Sequence, residues 1–346
     1  MLELSHPVEF PKENWLTITA LCFIFNIRFY YFMKTKVHQE QQISGVSMHQ
    51  VSQSEEGQRI DNFLLRCFKG VPKGHIYRLL RTGQVRVNSG RVKPAYRLVG
   101  GDQVRIPPLT WRMSSQVEIS AETATWLKSR ILYEHEDFLV FNKPAGYAVH
   151  AGTGLDHGLI DLLKGISEQA LHWELAHRLD RETSGCLLIA KTRRVAGHLH
   201  QMFRDGQMNK RYVALVAGQW QGGERSVDAP LRKNQLHGGE RMVMVDDQGR
   251  PALTDFSPLE VYADCSLLEA KIATGRTHQI RVHAAYCGHP VIGDRKYGEK
   301  TMNKTFKMRG LKRLFLHAQC LQFFWQQPIK VTAPLEEDLQ QVLGAL

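Results

Sequence analysis

Between Gly57 and Pro107 the chain sets eleven lysines and arginines against two acids, Asp61 and Asp102. That net +9 is nearly all of the +11 carried by the whole of the 346 residues. Charge gathered this way marks a separate small module with an anionic partner, nucleic acid or an anionic membrane surface, because eleven against two is too lopsided for an ordinary solvated face. The apolar pattern inside it is regular. Ile60, Phe63, Leu64 and Phe68 recur at helical spacing. Pro72 is placed to open a second helix as its first residue, with Ile76, Leu79 and Leu80 inward and Gly83 ending it. "QVRVNSGRV" then alternates, with Val85 and Val87 to one side, Arg86 to the other and Asn88-Ser89-Gly90 as the turn, and Gly101-Asp102 turns again before "QVRIPP". Two short helices and a small sheet are expected, with Lys73, Arg78 and Arg81 on the wet side of the second helix. Cations there contact phosphates, giving affinity without sequence information.

The length leaves room for about two domains. Trp15 to Met33 is apolar and aromatic but is broken by Asn26 and Arg28, barely reaches a bilayer's thickness and shows no signal-peptide cleavage pattern. "MKTKVHQEQQISG" from Met33 reads as an ordinary soluble start, so residues 1–50 are expected to be an extension with Met33 as the start, a membrane anchor being the second reading. The basic module is given the bounds 51–107, a linker 108–130, and a second domain 131–346. Six scattered cysteines with no Cys-x-x-Cys pair suggest reduced, buried thiols and a cytoplasmic protein.

The second domain reads as strand-rich. "ILYEHEDFLVFNKPAGYAVH" is strand, turn at Glu136-Asp137, strand; further strands are expected at 186–190, 212–217, 267–272, 280–283 and 314–324, with a helix over 195–204. Many strands and few helices indicate an α+β fold on a mixed, largely antiparallel sheet. No phosphate-binding glycine loop and no His-Glu-x-x-His occur, and His278, His283 and His289 read as packing or backbone-bonding residues, so neither a cofactor nor a metal is expected. Ser184 has no nucleophile elbow around it.

"HRLDRETSG", residues 177–185, places Asp180 between Arg178 and Arg181, after a loop and before a buried strand. A carboxylate nucleophile must be ionised and little solvated, which calls for a nearby cation. "TGRTHQIRVH", 274–283, offers Arg281; read as a strand, it points opposite to Ile280 and Val282. Taken alone, Asp180 is more readily a structural salt bridge, Tyr212 an ordinary strand aromatic and Arg281 a surface cation.

The combination changes that reading. "RIDNFL", "GVPKGHIYRLLRTGQVRVN" and "GDQVRIPP" resemble an S4 RNA-binding domain, which implies structured RNA as the partner. "NKPAGYAVH", "HRLDRETSG", "KRYVALVAG", "TGRTHQIRVH" and "GHPVIGDRKYG", in that order, resemble the RluA family of RNA pseudouridine synthases over roughly 130–330. The resemblance implies isomerisation of uridine within RNA, here 23S ribosomal RNA or a large-subunit precursor, without cofactor, metal, membrane or protein partner and by a monomer. Position by position it implies Asp180 as the essential aspartate, Arg178 as the residue occupying the gap left by the flipped nucleotide, Tyr212 stacking on the base and assisting at C5, Arg281 paired with the aspartate, and Ile280 packing in the pocket. An RNA glycosylase, a catalytically silent RNA chaperone and a synthase for another RNA are the alternatives. The glycosylase would need a second carboxylate facing Asp180.

Overall fold

The computed structural model describes residues 39–43, 45–68, 71, 73–113, 117, 119–151, 157–235 and 241–346. The apolar stretch 15–33, the expected start at Met33 and the expected helix-opening Pro72 lie outside the described residues. The chain divides between Ser115 and Gln116 into two units.

In the first unit, strand β1 (Gln39–Ile43) pairs antiparallel with β5 (Leu109–Met113), while β2 (Ser47–Gln50), β3 (Arg86–Val87) and β4 (Gln103–Ile106) form a sheet in the order β2-β4-β3. Helices α1 (Ile60–Cys67) and α2 (Lys73–Arg81) bury Ile60, Phe63, Leu64, Ile76, Leu79 and Leu80 against Val85, Val87 and Val104. Each of these large side chains contributes about 1.5–3 kcal/mol by leaving water. Gly83 follows α2 at φ +70°, a conformation that favours glycine. The two acids between Gly57 and Pro107 are both spent inside the module. Asp61 accepts from Arg59 Nε and Nη2 and from Tyr77 Oη, at 3.1, 2.7 and 2.8 Å, which staples α1 to α2, and the Arg59 hydrogen bonds draw its pKa down to about 2. Asp102 accepts from Asn88 Nδ2, Tyr96 Oη and the Val99 amide, fixing the turns. Lys73, Arg78 and Arg81 are exposed, as the periodicity requires.

The second unit begins with α3 (Ala121–Ser129), capped by Ser120 Oγ accepting from the Thr123 amide at 3.2 Å. The stretch expected as a linker, 108–130, therefore holds strand β5 and helix α3. There follow β6 (Ile131–Glu134), β7 (Phe138–Lys143), α4 (Leu159–Lys164), β8 (Glu174–Leu175), β9 (Ser184–Ala190), α5 (Arg193–Arg204), β10 (Asn209–Ala217), β11 (Arg225–Asp228), β12 (Leu231–Gln235), β13 (Arg241–Val245), β14 (Leu253–Val261) and β15 (Cys265–Ile272). The chain closes with α6 (Gln279–Tyr286), α7 (Lys300–Met308), β16 (Leu316–Trp325), β17 (Gln327–Thr332) and α8 (Glu337–Gly344). Ten strands form one sheet with the path β11-β14-β15-β10-β16-β9-β7-β6, β17 pairing with β16 and β8 with β9, and β12 and β13 form a separate hairpin. The pairings are antiparallel except β9 with β16. The architecture is thus α+β on a mixed, mostly antiparallel sheet. β7 and β9 are buried at every position, which is why they read as unbroken apolar runs. Leu199 and Met202 of α5 cover Val140, Cys186 and Leu188, while Phe306 of α7 and Leu339 and Val342 of α8 cover Val213 and Leu215.

Two expectations need correction. The stretch expected as a strand, 280–283, lies inside helix α6, in which Gln279 through Ala284 are all buried. A helix enclosed on every side shows no polar stripe, and its Ile-x-Val alternation imitates a strand. The thiols are not uniformly buried either: Cys67 is exposed and Cys287 partly so.

Gly185 explains the end of "HRLDRETSG". It sits at φ +107° where β9 meets β16, and a Cβ there would lie 2.2 Å from the Ala318 carbonyl oxygen. Gly185→Ala is expected to part the parallel pair, costing about 1–3 kcal/mol or more, read as a lowered denaturation midpoint.

Candidate active site

The loop before β9 is clamped at several points. His177 Nε2 accepts from the Leu188 amide at 3.0 Å, and burial pushes its pKa down to about 3, so it is a neutral structural ring. Lys143, wholly buried at the end of β7, donates from Nζ to the carbonyls of Pro144, Tyr147 and Arg181 at 2.9, 2.9 and 3.0 Å. Burial draws its pKa down to about 7, yet three carbonyl acceptors take three N–H groups, which only the ammonium supplies. The Gly146 amide also donates to the Arg181 carbonyl, and Arg181 Nε returns a bond to the Gly146 carbonyl, at 2.8 and 2.9 Å. Arg181 is thus a partly exposed tie for the loop, and Arg178 is left to the open side.

Asp180 Oδ2 lies 3.2 Å from Arg281 Nη1. The structure brings the two side chains together, with Arg281 reaching from a helix, and Arg281 has a stronger partner. Its Nε and Nη2 grip Asp294 side-on at 2.6 and 2.8 Å, and Asp294 Oδ1 also accepts from the Lys296 and Tyr297 amides. Burial opposes the charge on both, but for Asp294 the Arg281 bonds outweigh it and hold its pKa low, while Asp294 and then Asp180 hold that of Arg281 high. His278, the residue before α6, stands at φ +56° with Nε2 3.8 Å from Asp180 Oδ2 and Nδ1 2.8 Å from Tyr297 Oη. The Tyr297 ring lies 5.1 Å beneath the Arg281 guanidinium. Tyr212 is buried, which raises its phenol pKa well above the usual value, Asp180 adding to the effect.

A cleft of about 70 Å³ gathers Arg178, Asp180, Tyr212, Ile280 and Arg281, five residues the motifs singled out, with His278 as a sixth. Lys73, Arg78 and Arg81 belong to the first unit, where Arg78 and Arg81 line a groove of about 600 Å³ with Tyr77, Arg91 and Lys93. Asp294, Tyr297, Lys143 and the placing of His278 escaped the sequence reading. The available signal was Asp294, a lone acid in the basic turn "GDRKYG". His283 and His289 do bond to backbone, at Ala229 and Ala217, as expected. Ser184 Oγ is buried between His317 Nδ1 and Arg313 Nη1, a structural hydroxyl.

Residues 137–286 match the family described as RNA pseudouridylate synthase, and residues 58–104 match the S4 domain. With 47% identity over 306 residues to a curated relative, spanning 87% of this chain and 94% of the other, the chain belongs to the RNA pseudouridylate synthases, in the RluA branch that carries an S4 domain. That relative is the ribosomal large subunit pseudouridine synthase C of Pasteurella multocida, and the protein of the same name from Escherichia coli K12 is also 47% identical, over 86% of this chain and 95% of its own. Among solved structures, human RNA pseudouridylate synthase domain containing 4 matches with a TM-score of 0.54 at 25% identity, covering 64% of this chain and 94% of the human one.

Proposed function

We propose that the protein converts specific uridines of 23S ribosomal RNA, or of a large-subunit precursor, to pseudouridine, with Asp180 as the reacting carboxylate. The reaction breaks the N1–C1′ bond, turns the uracil and forms C5–C1′; the proton lost from C5 is balanced by one gained at N1. The observation that carries this reading is Asp180 held beside Arg281 in a cleft that also presents Tyr212, Ile280 and Arg178. Arg281, shared with Asp294, donates to the carboxylate and steadies its charge as water leaves, Tyr212 stacks on the flipped uracil, Ile280 packs against it, and Arg178 enters the stack the nucleotide has left. With its phenol kept protonated by burial, Tyr212 is suited to donate and ill suited to be a standing base. The glycosylase alternative finds no second free carboxylate facing Asp180 among the described residues: Asp294 is saturated by Arg281 and two amides, and Glu182 is exposed.

Lys73, Arg78 and Arg81 supply phosphate contacts from the S4 domain. Arg78→Ala with Arg81→Ala is expected to weaken RNA binding at every sequence and to flatten the dependence of log K on log salt by about 0.7–0.9 for each phosphate no longer neutralised, measured by filter binding across a salt series. No helix among the described residues is long and apolar enough to cross a membrane. A monomer acting in the cytoplasm, where the rRNA is made, is the setting this reading assigns. The test is pseudouridine mapping of rRNA from cells lacking the protein, complemented with wild type or Asp180→Asn. Loss of defined large-subunit sites, restored by wild type alone, supports the proposal; unchanged sites overturn it in favour of another RNA.

A further inference from the structure

One donor in the cleft is left without a use by this mechanism. Tyr297 Oη accepts from the Val243 amide of β13 at 3.0 Å and lies 2.8 Å from His278 Nδ1, an arrangement that suits its own proton to that nitrogen. A neutral imidazole has one donor and one acceptor nitrogen, and an Nδ1 that accepts leaves the proton on Nε2. Burial, the largest influence on this ring, pushes its pKa down to about 4 against the pull of Asp180, so the ring is neutral at physiological pH. Nε2 has its nearest acidic neighbour, Asp180 Oδ2, at 3.8 Å, beyond hydrogen-bond reach, and makes no hydrogen bond among the described residues. His278 lines the cleft with 16% of its side chain open, so a group bound there can meet this donor. The backbone beneath it is also held left-handed, at φ +56° and ψ +19°, the sort of strain that persists where the surroundings impose a position.

We propose that His278 is a substrate-binding residue whose Nε2–H, its tautomer set by Tyr297, donates a hydrogen bond to an oxygen of the target nucleotide seated over Asp180. The acceptor is the ribose 2′-oxygen or a uracil carbonyl, either of which can lie next to an atom engaged by the carboxylate. Tyr297 is then a positioning residue for both neighbours of Asp180: it orients His278 through its hydroxyl and lies under Arg281 with its ring. The inference rests on the Asp180 cleft being the site of isomerisation.

The test uses the full-length enzyme and an RNA fragment carrying one mapped target uridine. His278→Ala is expected to lower kcat/KM about tenfold, the size of one neutral hydrogen bond, and His278→Gln, which keeps an N–H donor, to recover most of it. Tyr297→Phe is expected to lower kcat/KM less, and ¹⁵N spectra to show His278 protonated at Nε2 in wild type but mixed between the two nitrogens in this variant. That last change is one that a merely structural tyrosine would not produce. The acceptor is identified by placing 2′-deoxyuridine, 2-thiouridine or 4-thiouridine at the target. With the substitution that removes the partner oxygen, wild type slows and His278→Ala causes no further loss. Three results overturn the proposal: His278→Ala equal to wild type while folded by thermal melt, losses that multiply in full with all three substitutions, or the proton found on Nδ1. Asp180→Asn is assayed in parallel, and if it matches wild type the reading of the cleft fails, whatever His278 does.

Discussion

Asp180→Asn is expected to lower the rate of pseudouridine formation at least about a thousandfold while leaving folding and RNA affinity close to wild type. The side chain keeps its shape and loses only its charge, and Arg281 remains neutralised by the two-point grip of Asp294. The loop holding position 180 stays tied through backbone groups of Arg181 and Thr183, which the substitution does not touch. Single-turnover assays on the mapped RNA, with a thermal melt and a binding isotherm on the same preparation, separate these quantities. A variant that retains a tenth of the rate would place the reacting group elsewhere.

Asp294→Ala should act the other way round, on stability first. It strips a buried guanidinium of its main partner, a change that costs about 3–5 kcal/mol and lowers the melting temperature by roughly 10 °C in a unit of this size. Asp180 alone, at 3.2 Å and on a single oxygen, does not replace a side-on pair. Urea unfolding gives the magnitude. The pH dependence has a definite sign. The folded pKa of Asp294 is depressed, so its contribution is fully present above the pKa of the unfolded carboxyl and is lost as pH falls through the lower folded value. Acid titration of wild type should therefore show a component that Asp294→Asn lacks, confined to pH below about 4.

What the sequence disclosed, and what it hid, follow from range. The S4 helices were legible because Ile60, Phe63 and Leu64, then Ile76, Leu79 and Leu80, repeat within a turn or two and face a small local core. β7 and β9 were legible as apolar runs because both faces are covered. Asp180 and Arg281 were paired from a family resemblance joined to an electrostatic requirement, and the cleft does join them. α6 was misread because its burial erased the periodicity on which helix recognition depends. Asp294, Tyr297 and Lys143 were hidden because each acts through a partner that no local pattern announces: a carboxylate answering a buried arginine, a phenol aimed by an amide of a distant hairpin, and an ammonium gathering three carbonyls.

The parallel contact at Gly185 and Ala318 bears on when the enzyme becomes competent. β16 lies between β10 and β9 in the middle of the sheet although it comes near the end of the chain. Until it arrives, β9 lacks a neighbour on one edge and Ser184, at the foot of the Asp180 loop, lacks both His317 and Arg313. Pairings of such long sequence separation form late, since loop closure precedes the interactions that reward it. A nascent chain whose β16 is still inside the translating ribosome therefore has its motifs but no assembled cleft, of which Leu316 is itself a wall.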